Sequence, residues 1–238
     1  MTPPVRRRVP EAFDRGASAY DRLVGANPGY HADLRRSARA FGFGDRPVRL
    51  LDLGCGTGAS TAALLAAAPN ARVVGVDASA GMLARARAKR WPDGVEFVHA
   101  RAEELAGAGV TGPFDGVFAA YLIRNLPDPD AVLASLWSLL RPGGRLIVHD
   151  YSVRDHPLAR LVWHAVCWSV IIPAGRLTTG DAGLYRYLWR SALDFDRPPE
   201  FAERLRRAGF TDVHAATMTG WQRGIVHAFG GRRPGPAS

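Results

Sequence analysis

Cysteine is nearly absent from this 238-residue chain, and its two copies, Cys55 and Cys167, stand far apart. They make neither a disulfide framework nor a Cys-x-x-Cys metal pattern, which points to a reducing cytosol. Lysine is scarcer still. Lys89 is the one lysine among 31 basic residues, so arginine carries the net charge of +9. A bias this complete, beside many Ala and Gly, fits a GC-rich coding sequence better than a selected nucleic-acid surface. The longest basic run is Arg6-Arg7-Arg8, the pattern of a solvated terminus, and neither end forms a long block. No uncharged apolar run reaches the ~18 residues of a simple membrane span. The arginine-rich start lacks an apolar h-region, so no secretory signal is expected. Internal repeats are missing as well. A soluble, intracellular, single-domain protein without a nucleic-acid partner is the expectation.

What is present is alternation. Residues 10–40 read as one or two helices, broken by turn chemistry at Gly25-Ala26-Asn27-Pro28-Gly29. Short apolar strands follow at 48–53, 72–77, 95–100, 114–121 and 145–151, with helices at 59–68, 80–89 and 130–140. Arg141-Pro142-Gly143-Gly144 should stop the last of these helices. Continuous apolar strands between helices mean parallel βαβ units covered on both faces. A helix at 200–208 and strands at 211–217 and 224–229 add an edge. Residues 155–197 are too long for a connection and read as an inserted lid. The domain plan is a helical cap at 1–45, one α/β domain at 46–230 and a flexible Gly/Pro-rich tail at 231–238.

The first strand runs into Leu51-Asp52-Leu53-Gly54-Cys55-Gly56-Thr57-Gly58-Ala59. Such glycines let the backbone turn sharply and approach a ligand, with a helix N-terminus just behind. Gly54-x-Gly56-x-x-Ala59 also satisfies the dinucleotide fingerprint, and Asp77 ends the second strand where a ribose diol would sit in either case. Asp52 separates the readings: a carboxylate there suits a ligand's ammonium group and repels a pyrophosphate.

With Phe114-Asp115-Gly116-Val117 and Leu139-Leu140-Arg141-Pro142-Gly143-Gly144-Arg145-Leu146 in order behind that loop, the chain resembles the class I S-adenosylmethionine-dependent methyltransferases. The resemblance implies a Rossmann-like α/β fold: a seven-stranded, mostly parallel sheet whose last strand is antiparallel, helices on both faces and a helical lid insertion. It implies S-adenosyl-L-methionine as cofactor and no metal. Gly54, Gly56, Thr57 and Gly58 would pass under the methionine part, with Asp52 near its amino group. Asp77 would take the ribose hydroxyls and Met82 pack on the adenine. Arg101 and Ala102 would lie at the adenine edge, and Ala120 would face the cofactor.

Within that class the chain is similar to the ubiquinone/menaquinone-biosynthesis C-methyltransferases. Phe13-Asp14-Arg15-Gly16-Ala17-Ser18-Ala19-Tyr20-Asp21 looks like that family's opening, whose aromatic, here Tyr20, closes over the cofactor. Arg124-Asn125 matches its Arg-Asn signature, Asp150-Tyr151-Ser152 echoes its Glu-Phe-Ser, and Tyr185-Arg186-Tyr187-Leu188 with Ser191 matches its Tyr-Arg-Tyr-Leu-x-x-Ser stretch. The chain departs from the family where Tyr121-Leu122-Ile123 replaces Phe-Gly-Leu, where Ala120 replaces serine and where Arg101 replaces a small polar or acidic residue. These departures imply an altered acceptor pocket.

Methyl transfer from a sulfonium is an in-line displacement in which positioning and exclusion of water dominate. A phenolic acceptor becomes nucleophilic at carbon when its oxygen loses a proton, and a cation or donor beside that oxygen helps. Arg124 and Asn125, just past a strand's carboxyl end, are the candidate catalytic residues. Arginine is too basic to act as a simple base, so its expected role is electrostatic. Tyr121, Tyr151 and Tyr185 are candidate substrate contacts. His149 reads as a satisfied core histidine, and His164 as facing either the acceptor or the lid's packing. The apolar run at 161–172 reads as a buried lid helix or a greasy wall for an isoprenoid tail. The acceptor expected is a lipophilic quinol such as a demethylmenaquinol, methylated in the cytosol with peripheral contact at the membrane's inner face. A small aromatic or polyketide acceptor is the second reading. A nucleic-acid methyltransferase and a cofactor-binding regulator without turnover are weaker ones.

Overall fold

The computed structural model describes Asp14, Gly25 and residues 27–179 and 182–235. Seven strands form one sheet: β1 (Arg49–Leu53), β2 (Arg72–Asp77), β3 (Val95–His99), β4 (Phe114–Ala120), β5 (Leu140–Tyr151), β6 (Thr211–Thr217) and β7 (Val226–Arg232). Their order is β3-β2-β1-β4-β5-β7-β6. β7 alone runs against its neighbours β5 and β6. The order reverses between β1 and β4, and in open α/β sheets such a switch point opens the crevice that takes the ligand.

Period-2 alternation divides the core. Leu51, Leu53, Val117 and Leu146 face one side, under α4 (Pro129–Leu139) and α8 (Pro198–Arg207). Leu50, Val73, Phe118 and Ile147 face the other, under α1 (Tyr30–Arg39) and α2 (Ala59–Ala67). α3 (Ala80–Arg87) follows β2; the Ser79 hydroxyl caps its N-terminus by accepting from the Met82 N–H at 3.1 Å.

The inserted segment is mostly helical: α5 (Pro157–Val166), a π-helical turn (Cys167–Ile171), α6 (Ile172–Thr179) and α7 (Gly183–Asp194). These helices build a third core from Trp163, Cys167, Ile172, Tyr185 and Ala192, closed against Met218, Ile225 and Val226 near the sheet's antiparallel edge.

Most boundaries shift by one or two residues from the sequence reading, and three of the differences have a structural reason. α4 ends at Leu139, and residues 141–144 form no separate turn; they lie within β5 as a register shift opposite Phe114 and Gly116. The fourth strand stops at Ala120 because Tyr121 takes φ 55°. The last strand is displaced two to three residues and runs on to Arg232. Its Gly230 and Gly231 leave room for His214 and Phe210, although the domain plan put Gly231 in the tail; a Cβ on Gly231 would lie 3.0 Å from Phe210.

Candidate active site

A cavity of about 540 Å³ opens above the carboxyl ends of β1, β2 and β4 and beneath the lid. On its sheet side the wall includes Gly54, Gly56, Asp77, Met82, Arg101 and Ala102. On its lid side it includes Trp163, Cys167, Ile171, Tyr185, Leu188 and Trp189. Ala120, Tyr121, Arg124, Asn125 and Tyr151 join the two halves.

The loop after β1 is shaped by its glycines. Gly56 sits at φ 55°, and a Cβ there would meet nothing within 4 Å, so the backbone itself is the wall. Gly58 sits at φ 91°, and a Cβ there would lie 2.6 Å from Trp91. The Gly56 N–H donates to Asp77 Oδ2 and the Ser79 N–H to Oδ1, each at 2.8 Å, so Asp77 braces the loop. Burial raises the Asp77 pKa, and these two bonds oppose the shift. Each oxygen keeps a second lone pair.

Asp52 stands apart from the wall. Its side chain is fully buried, and Oδ2 accepts from Ser60 Oγ at 2.8 Å and Thr61 Oγ1 at 2.6 Å, fastening the start of α2. Oδ1 has no hydrogen-bond partner among the described residues. Burial pushes the carboxyl up to about 7 against the pull of the two hydroxyls. Thr57 and Gly58 also lie behind the wall; the Thr57 carbonyl accepts from Lys89 Nζ at 2.8 Å. Tyr20 lies outside the described residues. Asp14, from the same opening segment, accepts from Ser79 Oγ at 2.5 Å and the Gly81 N–H at 2.9 Å, at the start of α3.

Arg124 is buried beside the cavity. Its Nη1 pairs with Asp150 Oδ1 at 2.5 Å, and its Nε donates to Ser191 Oγ at 3.2 Å. Its guanidinium carbon lies 5.0 Å from the Tyr151 ring centroid. Asn125 is tied on both sides: Nδ2 donates to the Tyr121 carbonyl at 3.0 Å, and Oδ1 accepts from the Tyr187 hydroxyl at 3.1 Å. The Arg-Asn signature and the Tyr-Arg-Tyr-Leu-x-x-Ser stretch therefore meet in space, joined by Ser191 and Tyr187. Arg101 lies at the rim, 3.8 Å from Glu103.

An aromatic column crosses the cavity wall. Tyr30 stacks on Tyr121 at 5.4 Å, Tyr121 meets Tyr151 at 4.9 Å, and Tyr151 meets Trp163 at 4.6 Å. His149 is fully buried, bonded to the Tyr121 hydroxyl at 3.0 Å and to Ser37 Oγ at 2.8 Å, as a satisfied core histidine should be. Burial lowers its pKa to about 3. His164 accepts from Trp189 Nε1 at 3.1 Å and so belongs to the lid's packing. Sequence reasoning did not single out Tyr30, Trp189 or Trp221. Trp221, whose Nε1 donates to the Pro28 carbonyl at 3.0 Å, closes the cavity from beside the last strand. The one available signal was tryptophan recurring outside the βα pattern.

The donor set fits S-adenosylmethionine. A bare glycine backbone faces the cavity, Asp77 offers spare lone pairs to a diol, and Asp52 has an orphaned buried oxygen beneath the same loop. No group of three or more His, Cys, Asp or Glu suited to a metal occurs among the described residues.

Residues 2–231 match the ubiE/COQ5 methyltransferase family. The chain is 36% identical over 234 residues to the ubiquinone/menaquinone biosynthesis C-methyltransferase UbiE of Bradyrhizobium diazoefficiens, covering 94% of this chain and 90% of that protein. It is 36% identical over 201 residues to the demethylmenaquinone methyltransferase of Thermus thermophilus, covering 84% and 91%. Among solved structures, it is similar to phosphoethanolamine N-methyltransferase 2 of Haemonchus contortus, with a TM-score of 0.67, 21% identity and coverage of 93% and 57%. It is also similar to the [4+2]-cyclase SpnF, with a TM-score of 0.69, 18% identity and coverage of 95% of each chain. Those two catalyse different reactions, so the likeness speaks for the fold and the family match for the chemistry. On that match the chain belongs to the ubiE/COQ5 methyltransferase family and is an S-adenosylmethionine-dependent methyltransferase.

Proposed function

We propose that the chain methylates a ring carbon of a lipophilic quinol, with a demethylmenaquinol as the leading acceptor. The observation that carries this reading is the cavity's asymmetry. Its sheet side combines bare glycine backbone and the Asp77 carboxylate with small apolar groups such as Met82 and Ala102, whereas its lid side is almost wholly large and apolar, with Arg124, Tyr121 and Tyr151 between them. A polar donor and a greasy ring with a tail would divide the space in that way. The family match and the relatives named for quinone methylation support the same acceptor class.

Asp77 would hold the ribose hydroxyls, Met82 and Ala102 the adenine, and Gly54 and Gly56 the methionine part, with Arg101 at the rim and Ala120 beneath. Asp52 would receive the amino group on Oδ1 once the loop yields slightly. Tyr20 would close the site from the opening segment. When bound, the donor supplies an electrophilic methyl group, which replaces a ring proton of the acceptor as the sulfonium becomes a neutral thioether. The chain's own work is to orient the ring, exclude water and stabilise negative charge on its oxygen. Arg124 can do so through Nη2, which has no partner among the described residues and belongs to a side chain on the wall. Asn125 would hold the loop that carries it. Tyr151 and Tyr185 would contact the acceptor.

The lid's outer face bears on where the acceptor enters. Leu158, Leu161, Trp168, Val170 and Leu177 are the exposed large hydrophobics among the described residues, and all lie on one continuous helical stretch; Val170 also lines the cavity, and the other four make up the outer face. That stretch, Pro157–Thr178, is long and apolar enough by composition to cross a membrane, yet its inner face builds the cavity. Arg160 and Arg176 flank its apolar surface. Peripheral docking on an anionic membrane, with the acceptor entering from the lipid, accommodates both faces.

Cells lacking the gene test the acceptor class. Quinones extracted from them should carry an unmethylated ring, and expression of the chain should restore the methyl group. Unchanged quinones, with a small aromatic metabolite losing its methyl group instead, would favour the second reading.

A further inference from the structure

Two neighbouring faces of α7 meet the site. Leu188 and Trp189 line the lid side of the cavity, while Ser191, 3% exposed, lies against Arg124. A short path joins wall and guanidinium. The Ser191 hydroxyl donates to the Leu188 carbonyl at 2.9 Å, and Ser191 Oγ accepts from Arg124 Nε at 3.2 Å. One turn earlier on the same helix face, the Tyr187 hydroxyl donates to Asn125 Oδ1 at 3.1 Å. The lid helix therefore holds both residues of the Arg-Asn pair beside the wall that the acceptor would touch. α7 is itself backed by the rest of the lid. Trp163 Nε1 donates to the Trp189 carbonyl at 3.2 Å, and the Tyr185 ring presses on Gly175 so closely that no Cβ would fit there.

The guanidinium is planar, so two fixed points orient it. Asp150 holds Nη1 at 2.5 Å, but that contact alone leaves the plane able to swing about it. The Ser191 tie on Nε removes this freedom and sets where Nη2 points. Asp150 also offsets much of the Arg124 charge, so the aim of the remaining N–H matters more. We propose that Ser191 is a positioning residue for Arg124, and that the acceptor's apolar tail, packed on Leu188 and Trp189, steadies it through α7. The tie is already made in the structure, and a tail on that wall favours the arrangement that contains it. Apolar surface buried far from the reacting carbon then serves orientation, and its effect shows in kcat more than in KM. This inference rests on the lipophilic quinol proposed above.

The test uses the full chain, S-adenosylmethionine, a demethylmenaquinol with a short isoprenoid tail and the same ring without one. The wild-type chain should turn over the tailed acceptor with a kcat about 10-fold higher. Ser191→Ala should lower kcat on the tailed acceptor by about 10-fold, with its KM and the cofactor's Kd little changed, and so bring the two acceptors together. Tyr187→Phe, which keeps the ring but loses the bond to Asn125, should act in the same direction. Equal kcat on the two acceptors in the wild-type chain, unchanged kcat in Ser191→Ala, or an equal loss on both acceptors would overturn the proposal, since a merely structural serine does not distinguish tails. NMR of the Arg124 Nε proton reads the tie with no acceptor present: Ser191→Ala should speed its exchange with water, and an unchanged rate would overturn the tie. A wild-type chain that methylates neither quinol would instead overturn the acceptor reading on which the inference stands.

Discussion

Arg124 and Asp150 form an ion pair at 2.5 Å with 3% and 0% of their side chains exposed, at the floor of the cavity. Burying both charges costs desolvation that their attraction repays only while both are present. Asp150→Asn should therefore destabilise the fold by about 3–5 kcal/mol, because it strands the guanidinium. The double variant Arg124→Met, Asp150→Leu should regain most of that stability while turnover stays lost. Thermal melts and turnover measured side by side check both halves. Full activity in the double variant would remove Arg124 from the chemistry.

Cofactor binding should depend on pH through Asp52. Its carboxyl is held up at about 7 in the fold, against roughly 3.9 in an unfolded chain. Between those values the folded chain keeps a proton that the unfolded chain has released. Asp52 thus costs stability as pH rises from about 4 to 7, by about 4 kcal/mol once fully ionised. A bound ammonium beside Oδ1 would favour the carboxylate and release that proton. The Kd for S-adenosylmethionine should fall several-fold from about pH 6 to 8. Calorimetry should find the dependence flattened in Asp52→Asn. An unchanged dependence in that variant would leave Asp52 as a fastening for α2 alone. Asp77→Asn, at ordinary pH, should abolish the cofactor's thermal shift.

The opposite sign holds for His149, which burial lowers to about 3, and for His227, lowered to about 4. Their unfolded forms take up protons near pH 6.5 while the folded forms refuse them, so stability is full above that value and drains away as pH falls. The melting temperature should drop steeply between about pH 6 and 4, and His149→Gln should shallow that limb. An identical acid limb in the variant would contradict a neutral buried imidazole.

The lid should bind lipid by its outer face. Flotation with vesicles of phosphatidylglycerol should retain the wild-type chain, and raising salt should weaken retention through Arg160 and Arg176. Leu161→Ser with Leu177→Ser should abolish retention while leaving turnover of a water-soluble quinol intact. Both residues are exposed, at 65% and 88%, so the fold should tolerate the change. Equal retention would point to another surface.

Much of this was legible in the sequence, for physical reasons. The apolar runs of β1, β2 and β4 and the glycine loop identify themselves locally, because a buried parallel strand and a backbone-lined turn each demand particular residues. Asp52 shows where local reading stops short. It shares a strand face with Leu50, the face covered by α1 and α2, and so meets Ser60 and Thr61 instead of lining the cavity. Alternation could have revealed that. The Tyr121–His149 contact could not be read, since only the β4–β5 register brings residues 28 apart into contact. Trp189 was equally silent, whereas the run at 161–172 that carries Trp163 reads as a candidate wall; helix period says which residues turn inward but not which space they enclose.

A quinol ring is assigned to the lid side of the cavity. Purified chain incubated with methyl-labelled S-adenosylmethionine and a demethylmenaquinol tests it most directly, with the product read by mass spectrometry and NMR. One label per ring, on carbon, is expected, with loss of that product in Arg124→Met, Asp150→Leu. Label on oxygen, or no labelled quinol while a small phenolic acceptor is methylated, would contradict it.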